Sequence, residues 1–308
     1  MKNHAFLITC YKQPNLVARI IHILYSPNHY FFVHVDKKTN ITPFVEAVGG
    51  LQNVKFTKQI NVNHARYSQL VSELDLLHDA KEFEIKKGLK FDYVHMVSGN
   101  DYPLRSNEQF DAFFDETDAT FMLYDKEEFW NKYKSYAEHT VNDYHLNQGG
   151  IWSTIFIKTL GRLLGYVCPR KRIKNLSGGW DWWSWNSDTF NYVLEYLDNH
   201  PDYQQRWNHT LCVTEKFFHT MLADKKADLR IDTWNPLRFV SWKPKRDMGP
   251  NYDPHRPYNL TEKEYDLVIN SKAFFCRKVD EIVSANLLDL IDKQRGNYYN
   301  INEHDYFR

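Results

Sequence analysis

The apolar positions in the first 123 residues predict an alternation of strands and helices. Short apolar runs, typical of buried strands, occupy residues 5–10, 30–35, 54–57 and 92–97. Between them, apolar residues repeat at helical spacing after Pro14 and after Ser68, and we expect Ser68 to cap its helix. This βαβ series predicts an α/β fold with a mostly parallel, Rossmann-like sheet and helices on both faces.

Polar residues directly follow two of these strands. Asp36 follows the second strand, and residues 98–101, ending in Asp101, follow the fourth. Ligands of parallel α/β sheets bind at the carboxyl ends of the strands, so these residues are candidates for a ligand site. A role in turns is the alternative for both aspartates. The absence of a Gly-x-Gly-x-x-Gly motif and of a P-loop disfavours a dinucleotide or ATPase fold.

The rest of the chain, residues 124–308, has a less regular pattern. Helical spacing is visible over residues 155–164 and 187–197. The sequence contains no internal repeat, low-complexity segment or clear linker, so one domain over residues 1–308 is the simplest prediction. The basic cluster at residues 169–172 is predicted to be a solvated loop, with contact to an anionic lipid or a diphosphate as the alternative.

Charge and aromatic content narrow the classes of partner. The 39 Lys and Arg residues balance 39 Asp and Glu residues, which argues against a nucleic-acid-binding protein. The chain has 20 Tyr, 20 Phe and 9 Trp, and such rings stack well on the C–H faces of sugars. A rich aromatic core would give the same count, so the composition alone leaves both interpretations open.

The cysteines and the hydropathy of the chain indicate the cellular compartment in which the protein lies. Four cysteines lie far apart without a Cys-x-x-Cys pair, which predicts reduced, buried thiols rather than a zinc site or a disulfide scaffold. No apolar run has the length needed to cross a membrane, and the N-terminus leads straight into a predicted strand. We therefore expect a cytoplasmic protein.

Glu215 is the main candidate for chemistry. It follows Thr214, which we expect to cap a helix, and the apolar residues behind it recur at helical spacing. The helix dipole favours its ionised form, which suits either a solvated cap or a general base. Residues 178–185 contain four tryptophans, which cannot all point inward on one strand.

The sequence also lacks an Asp-x-Asp triplet, on which nucleotide-sugar transferases of this general shape usually bind a divalent metal. Without a metal, other positive charges must offset a leaving diphosphate. Arg256 and the segment 274–280, which includes Lys278, supply candidate cations.

Several segments together resemble the core-2/I-branching glycosyltransferases, glycosyltransferase family 14. They follow the family's order along most of the chain, at residues 5–14, 33–38, 64–68, 98–104, 178–185, 212–220, 238–242 and 274–280. The resemblance implies a GT-A type sheet and transfer of GlcNAc from a UDP-sugar to a hydroxyl of a glycan, forming a β-linkage. It also implies inversion without metal, so neither a cofactor nor a metal is expected.

The resemblance implies a role for individual residues. Glu215 would be the general base, residues 1–123 the nucleotide-binding half, and residues 124–308 the acceptor and diphosphate half. The implied donor contacts are Thr9, Asp36, Asp101, Trp182 with its neighbour Trp183, Arg256 and Lys278. The implied acceptor contacts are Trp242 and Lys126.

Departures from the family keep alternatives open. Thr214 stands where family members commonly have Asp, and the anchor, stem and disulfides of the animal enzymes are not visible. A cytoplasmic enzyme that extends a lipid-linked or capsular glycan, with peripheral membrane association, fits this compact form. The alternatives are a xylosyl donor or a carbohydrate-binding protein without catalysis. A glycoside hydrolase is disfavoured because the sequence shows no partner carboxylate for Glu215.

Overall fold

The computed structural model describes residues 1–146, 151–171, 173, 175–242 and 257–296. The strands in this part of the chain are β1 (His4–Cys10), β2 (His29–Val35), β3 (Val54–Phe56), β4 (Tyr93–Ser98), β5 (Asp101–Pro103), β6 (Thr120–Tyr124), β7 (Gly179–Asn186), β8 (Ile231–Asp232), β9 (Arg238–Val240) and β10 (Phe275–Arg277). The α-helices are α1 (Pro14–Leu24), α2 (Thr42–Val48), α3 (Tyr67–Lys87), α4 (Asn107–Asp115), α5 (Glu127–Asn142), α6 (Ile151–Val167), α7 (Ser187–Asn199), α8 (Pro201–Arg206), α9 (Thr214–Met221), α10 (Tyr265–Ile269) and α11 (Ala285–Arg295). Two 3₁₀ turns cover Ala223–Lys225 and Glu262–Glu264.

The larger sheet is mostly parallel, as the sequence predicted. Its strand order is β3-β2-β1-β4-β7-β6-β8, and β7 is the strand that runs antiparallel to both of its neighbours. The four strands predicted from apolar runs are confirmed, with ends displaced by one residue. The three strands β6, β7 and β8, which come from residue 120 onward, extend the same sheet.

Helices cover both faces of this sheet because side chains alternate along each strand. Phe6 and Ile8 of β1 belong to a buried cluster that includes residues of α1, α4 and α11. Ala5 and Leu7 belong to a second cluster on the other face, with residues of α3, α7 and α9. A strand that is apolar on both faces is expected for a sheet buried between two helical layers, so the predicted three-layer arrangement is confirmed.

The helix starts differ in detail from the sequence prediction. Helix α1 begins at Pro14, as predicted, since proline suits the first helical turn. Helix α3 begins at Tyr67, and its capping position, Arg66, makes no side-chain cap. The expectation that Ser68 caps this helix is therefore wrong. Its hydroxyl instead accepts a hydrogen bond from the N–H of Asn63 (2.8 Å), which ties the preceding loop to the helix.

A smaller sheet attaches the C-terminal segment to the end of β4. In it, β10 pairs antiparallel with β5 and parallel with β9. The Tyr102 hydroxyl of β5 donates to Asp292 of α11 (2.7 Å), and Arg19 of α1 also pairs with Asp292 (2.8 Å). The pairing of β10 with β5 sets Arg277 opposite Asp101, at the carboxyl edge of the large sheet.

The four cysteines are unpaired, as predicted. Cys10 and Cys276 are buried and Cys212 is half-buried, whereas Cys168 is exposed, so the expectation of burial is wrong for Cys168. Among the helices that the structure describes, none is both long and apolar enough to cross a membrane.

Gly179 tests the packing of β7. A Cβ at this position would overlap the carbonyl oxygen of Leu123 in β6 and lie 2.5 Å from the His219 ring. We expect Gly179→Ala to lower the free energy of unfolding by about 3 kcal/mol, since neither group has room to retreat. Urea denaturation is the measurement.

Gly50→Ala is the matched control, because a Cβ at Gly50 would meet nothing within 4 Å. Its effect should stay within about 1 kcal/mol. Equal stabilities for the two variants would contradict the close approach of β7 to β6.

Candidate active site

The candidate site lies at the carboxyl edge of the large sheet. Thr9, near the end of β1, pairs in register with His34 of β2 and Ser98 of β4. The strand order reverses direction between β1 and β4, and such a switch point is where α/β sheets bind ligands. Because β7 is antiparallel, its first residues lie at this same edge.

Asp36 lies directly after β2 and is nearly buried. Its Oδ1 accepts a hydrogen bond from the N–H of Lys38 (2.9 Å), and its Oδ2 lies 3.0 Å from the ammonium of Lys38. The turn contacts that the sequence left as an alternative are therefore present. Thr9 is half-buried beside this turn at the end of β1. The predicted donor contacts of Asp36 and Thr9 stay predictions.

Asp101 is fully buried and acts on the site through Arg277. Its Oδ2 accepts from the N–H of Ser98 (2.7 Å), and its Oδ1 accepts from the Arg277 guanidinium (2.7 Å). Arg277 also donates to the Ser98 hydroxyl and lies 3.9 Å above the centre of the Trp182 ring. Because both Asp101 oxygens have protein partners, a ligand at this edge would meet Arg277 rather than Asp101. Sequence reasoning had assigned no separate role to Arg277, although it lies within a segment that resembles the family.

Of the two cations predicted to bind a diphosphate, Lys278 lies among the described residues. Lys278 follows Arg277 directly and is half-buried, and its carbonyl accepts from the N–H of Leu260 (2.8 Å). This places Lys278 next to the Asp101–Arg277 pair. Arg256 lies outside the described residues.

The tryptophans of β7 alternate between core and site, as the strand pattern requires. Trp183 and Trp185 are at most 1% exposed and stack with ring centres 3.5 Å apart. The expected place of Trp183 beside the donor sugar is therefore wrong, because its ring is part of the core. Trp180 and Trp182 are half-buried and meet edge to face, which leaves Trp182 beside Arg277.

Glu215 lies in the first turn of α9, as predicted, but Thr214 does not cap that helix. The capping position is Val213, and no side chain caps the helix. Thr214 is already helical, and its hydroxyl accepts from the side-chain amide of Gln69 (3.3 Å) and bonds with the Asp181 carboxylate. The capping prediction is wrong because the Thr214 hydroxyl is used between α3 and β7.

Other carboxylates surround Glu215. Its side chain is 51% exposed, and its pKa is raised to about 7 by loss of hydration, then by the charges of Asp181 and Asp125. Lys216, 4.0 Å from Glu215, opposes this shift. Asp181 is thus the neighbouring carboxylate that the sequence failed to reveal, since it lies 34 positions away along the chain.

A second buried acid lies behind Asp181. Glu73 of α3 is 3% exposed, and burial followed by the charge of Asp181 raises its pKa well above the ordinary value. Burial likewise raises the pKa of Asp181, although Thr214 and Arg277 favour its charged form. Asp181 has one fully enclosed oxygen without a hydrogen-bond partner among the described residues. Asp181 and Glu73 therefore both hold a proton more strongly than an ordinary carboxyl group does.

The residues predicted to contact an acceptor lie on the rim. Trp242 is 39% exposed just after β9. Lys126 directly precedes α5, and its ammonium lies 5.8 Å from the ring centre of Trp234, which is 67% exposed. Sequence reasoning had not singled out Trp234, because an isolated tryptophan in a loop has no periodic signal.

A polar cavity of about 390 Å³ opens near the start of α9. Arg66, His145 and His209 contribute to its lining. The N–H of Cys212 donates to the carbonyl of Ala65 (2.8 Å), which joins this wall to the segment that leads into Glu215.

The charge of Asp181 gives a testable prediction for the pKa of Glu215. We expect Asp181→Asn to lower the pKa of Glu215 from about 7 toward its ordinary value, because a neighbouring negative charge is removed. Carboxyl ¹³C NMR titration measures this pKa, with the resonance assigned through Glu215→Gln.

The control is Asp198→Asn, which makes the same change at an exposed position of α7. It should leave the Glu215 titration unchanged. An unshifted pKa in Asp181→Asn would remove Asp181 as a cause of the elevated value.

The chain is similar to a known protein family and to several known proteins. The family model described as Core-2/I-Branching enzyme matches residues 4–268. Xylosyltransferase 2 of Pan troglodytes is 25% identical over 300 residues, which cover 90% of this chain and 31% of that protein. Xylosyltransferase sqv-6 of Caenorhabditis briggsae is 24% identical over 298 residues, covering 90% of this chain and 35% of that protein.

The chain therefore spans about a third of the length of these relatives. A solved structure, the apo form of mouse Xyloside xylosyltransferase 1, aligns with 90% of this chain and 97% of its own, at 10% identity and a TM-score of 0.32. That likeness is too weak to support an argument. The family match, in contrast, includes the strand ends, the β7 segment and Glu215. The chain belongs to the Core-2/I-Branching enzyme family, glycosyltransferase family 14, and has the GT-A type fold that its sequence predicted.

Proposed function

We propose that this chain is an inverting glycosyltransferase that moves a sugar from a UDP-sugar to a hydroxyl of a glycan acceptor. The observation that supports this most directly is Glu215, a half-exposed carboxylate with a pKa of about 7 at the carboxyl edge of a GT-A type sheet. A general base works best when its pKa lies near the working pH. A solvated helix cap would have no reason to lie among other carboxylates.

In this proposal Glu215 accepts the proton of the acceptor hydroxyl while that oxygen attacks the anomeric carbon. The attack comes from the face opposite UDP, so one displacement turns an α-linked donor into a β-glycoside. Asp181 and Asp125 strengthen the base by raising its affinity for the proton. Transfer should accordingly rise with pH through about 7, as Glu215 loses its own proton.

The leaving diphosphate needs positive charge, which the proposal assigns to Lys278, Arg277 and the predicted Arg256 rather than to a metal. Asp101 accepts a hydrogen bond from the Arg277 guanidinium, and the Trp182 ring lies against that guanidinium. Both contacts hold Arg277 in place. Thr9 and Asp36, at the neighbouring strand ends, would contact the uridine.

The donor sugar is the open part of the proposal. GlcNAc is the donor predicted from the family resemblance, whereas the relatives quoted above are named xylosyltransferases. A screen of UDP-sugars by UDP release would decide between them. The acceptor is proposed to be a glycan or a lipid-linked oligosaccharide that meets Trp242 and Lys126. A cytoplasmic location and peripheral membrane association stay predictions.

Replacing the base gives the central test. We expect Glu215→Gln to lower the transfer rate by about 10²–10⁴-fold, because the amide cannot accept the proton, while UDP binding by calorimetry is retained. Glu195→Gln, the same change at an exposed position of α7, should leave the rate unchanged.

Two outcomes would contradict the mechanism. Full activity of Glu215→Gln would remove it as the base, and loss of transfer in EDTA by a protein that circular dichroism shows to be folded would remove the metal-independent step. Glycan binding without any UDP affinity would instead indicate a carbohydrate-binding protein without catalysis.

The assignment of the diphosphate predicts a separate effect. We expect Lys278→Ala to weaken UDP binding by about tenfold or more, since it removes a charged contact to phosphate. The control is Lys272→Ala, which alters an exposed lysine six positions earlier in the chain and should leave UDP binding normal. Equal affinities in the two variants would place the diphosphate elsewhere.

A further inference from the structure

A cluster of buried histidines occupies the end of the large sheet opposite to Glu215. His4 opens β1, His29 opens β2, and the two residues are paired in register. Both are 0% exposed, and Asp111 of α4 lies against them with 7% exposure. Thr9 lies five positions after His4 along β1, which is about 16 Å at the usual rise of a strand. The cluster is therefore separate from the candidate active site.

The three side chains offer ligand atoms at close range. The Nε2 of His29 lies 2.8 Å from Oδ1 of Asp111, and the Nε2 of His4 lies 3.7 Å from the same oxygen. All three ligand atoms lie within 4.8 Å of one another. Two imidazoles and a carboxylate are a common ligand set for zinc and neighbouring transition metals.

The hydrogen bonds of His29 indicate a cation at this point. Its Nδ1 lies 2.6 Å from the carbonyl oxygen of Leu24, and a carbonyl only accepts, so this nitrogen holds the ring proton. In a neutral ring the Nε2 is then a bare acceptor that faces the Asp111 carboxylate. Asp111 also accepts a hydrogen bond from the side-chain amide of Asn28 (3.3 Å). Either a second proton or a metal ion must separate these two acceptors.

The environment of His4 favours the metal. Its Nδ1 lies 3.0 Å from Nε2 of His95, whose Nδ1 lies 2.9 Å from the Ser184 hydroxyl. When His4 donates to His95 and His95 donates to Ser184, the Nε2 of His4 keeps a free lone pair that a metal ion can use. This Nε2 is fully buried and has no hydrogen-bond partner among the described residues. The Nδ1 atoms of both histidines are thus held by hydrogen bonds, as in metal sites with an ordered outer shell.

We propose that His4, His29 and Asp111 bind one divalent transition metal ion, with zinc as the best fit. Bonds of about 2.0–2.1 Å in a tetrahedral site separate ligand atoms by about 3.4 Å, and the distances of 2.8 and 3.7 Å lie on either side of that value. The fourth position would be taken by a water molecule or by the second oxygen of Asp111. The ion would join β1, β2 and α4 and act on stability, not on sugar transfer.

The test uses full-length protein without a histidine tag, purified from zinc-supplemented cells. Elemental analysis should find about one zinc per chain in the wild type and in the control His78→Gln, which alters an exposed histidine of α3. His29→Gln and Asp111→Asn should each lose most of this zinc. Removing the metal with a chelator should lower the Tm of the wild type and leave that of His29→Gln unchanged.

Cobalt keeps the proposal testable if those variants fail to fold. Wild-type apoprotein loaded with Co²⁺ should gain visible absorption typical of a tetrahedral site, and one equivalent of zinc should abolish it. Wild-type protein without bound zinc and without this absorption would overturn the proposal and leave a hydrogen bond between His29 and Asp111 in place of the ion. Zinc retained equally by His29→Gln would also overturn it, since the ion would then lie elsewhere.

Discussion

The antiparallel placement of β7 between β4 and β6 is the constraint on which both the sheet and the candidate site depend. It joins the parallel strands of the first half of the chain to β6 and β8, and it turns the start of β7 toward the edge where β1, β2 and β4 end. The strand can approach so closely because its first residue is Gly179, where any side chain would meet the β6 backbone. Gly178 has a similar role, since a Cβ there would lie 3.2 Å from the carbonyl oxygen of Glu215.

Strand β7 therefore supplies residues both to the core and to the candidate site. Trp183 and Trp185 stack in the interior, while Asp181 and Trp182, one step closer to the edge, face Glu215 and Arg277 respectively. Burying Asp181 next to Glu73 is costly because both acids lose hydration, and this cost appears as raised pKa values. The charge of Asp181 also raises the pKa of Glu215, which suits the general base that we propose. Thr214, which replaces the family's common Asp, adds a hydrogen bond to Asp181 without adding a further negative charge.

The two ends of the sheet have different chemistry. At the carboxyl ends of the strands, charges remain accessible, and Arg277 is held in place by Asp101 and Trp182. At the amino ends, two histidines and an aspartate are buried next to one another among aromatic rings. The candidate active site and the proposed metal site thus lie at opposite ends of the large sheet.

Local pattern by itself was enough to predict the α/β class, the first four strands, the start of α1 and the position of Glu215 in a helix, because strand and helix periodicity are properties of neighbouring residues. The order of family-like segments also predicted the family. Other features depended on contacts between residues far apart in the chain: the burial of Asp101 against Arg277, the place of Trp183 in the core, and the use of Ser68 and Thr214 for bonds other than caps. Asp181 beside Glu215 and the cluster of His4, His29 and Asp111 likewise arise only when separate strands pair. Distances between such residues are set by sheet order and register, which no local pattern contains, and it is these distances that decide pKa values and possible ligands.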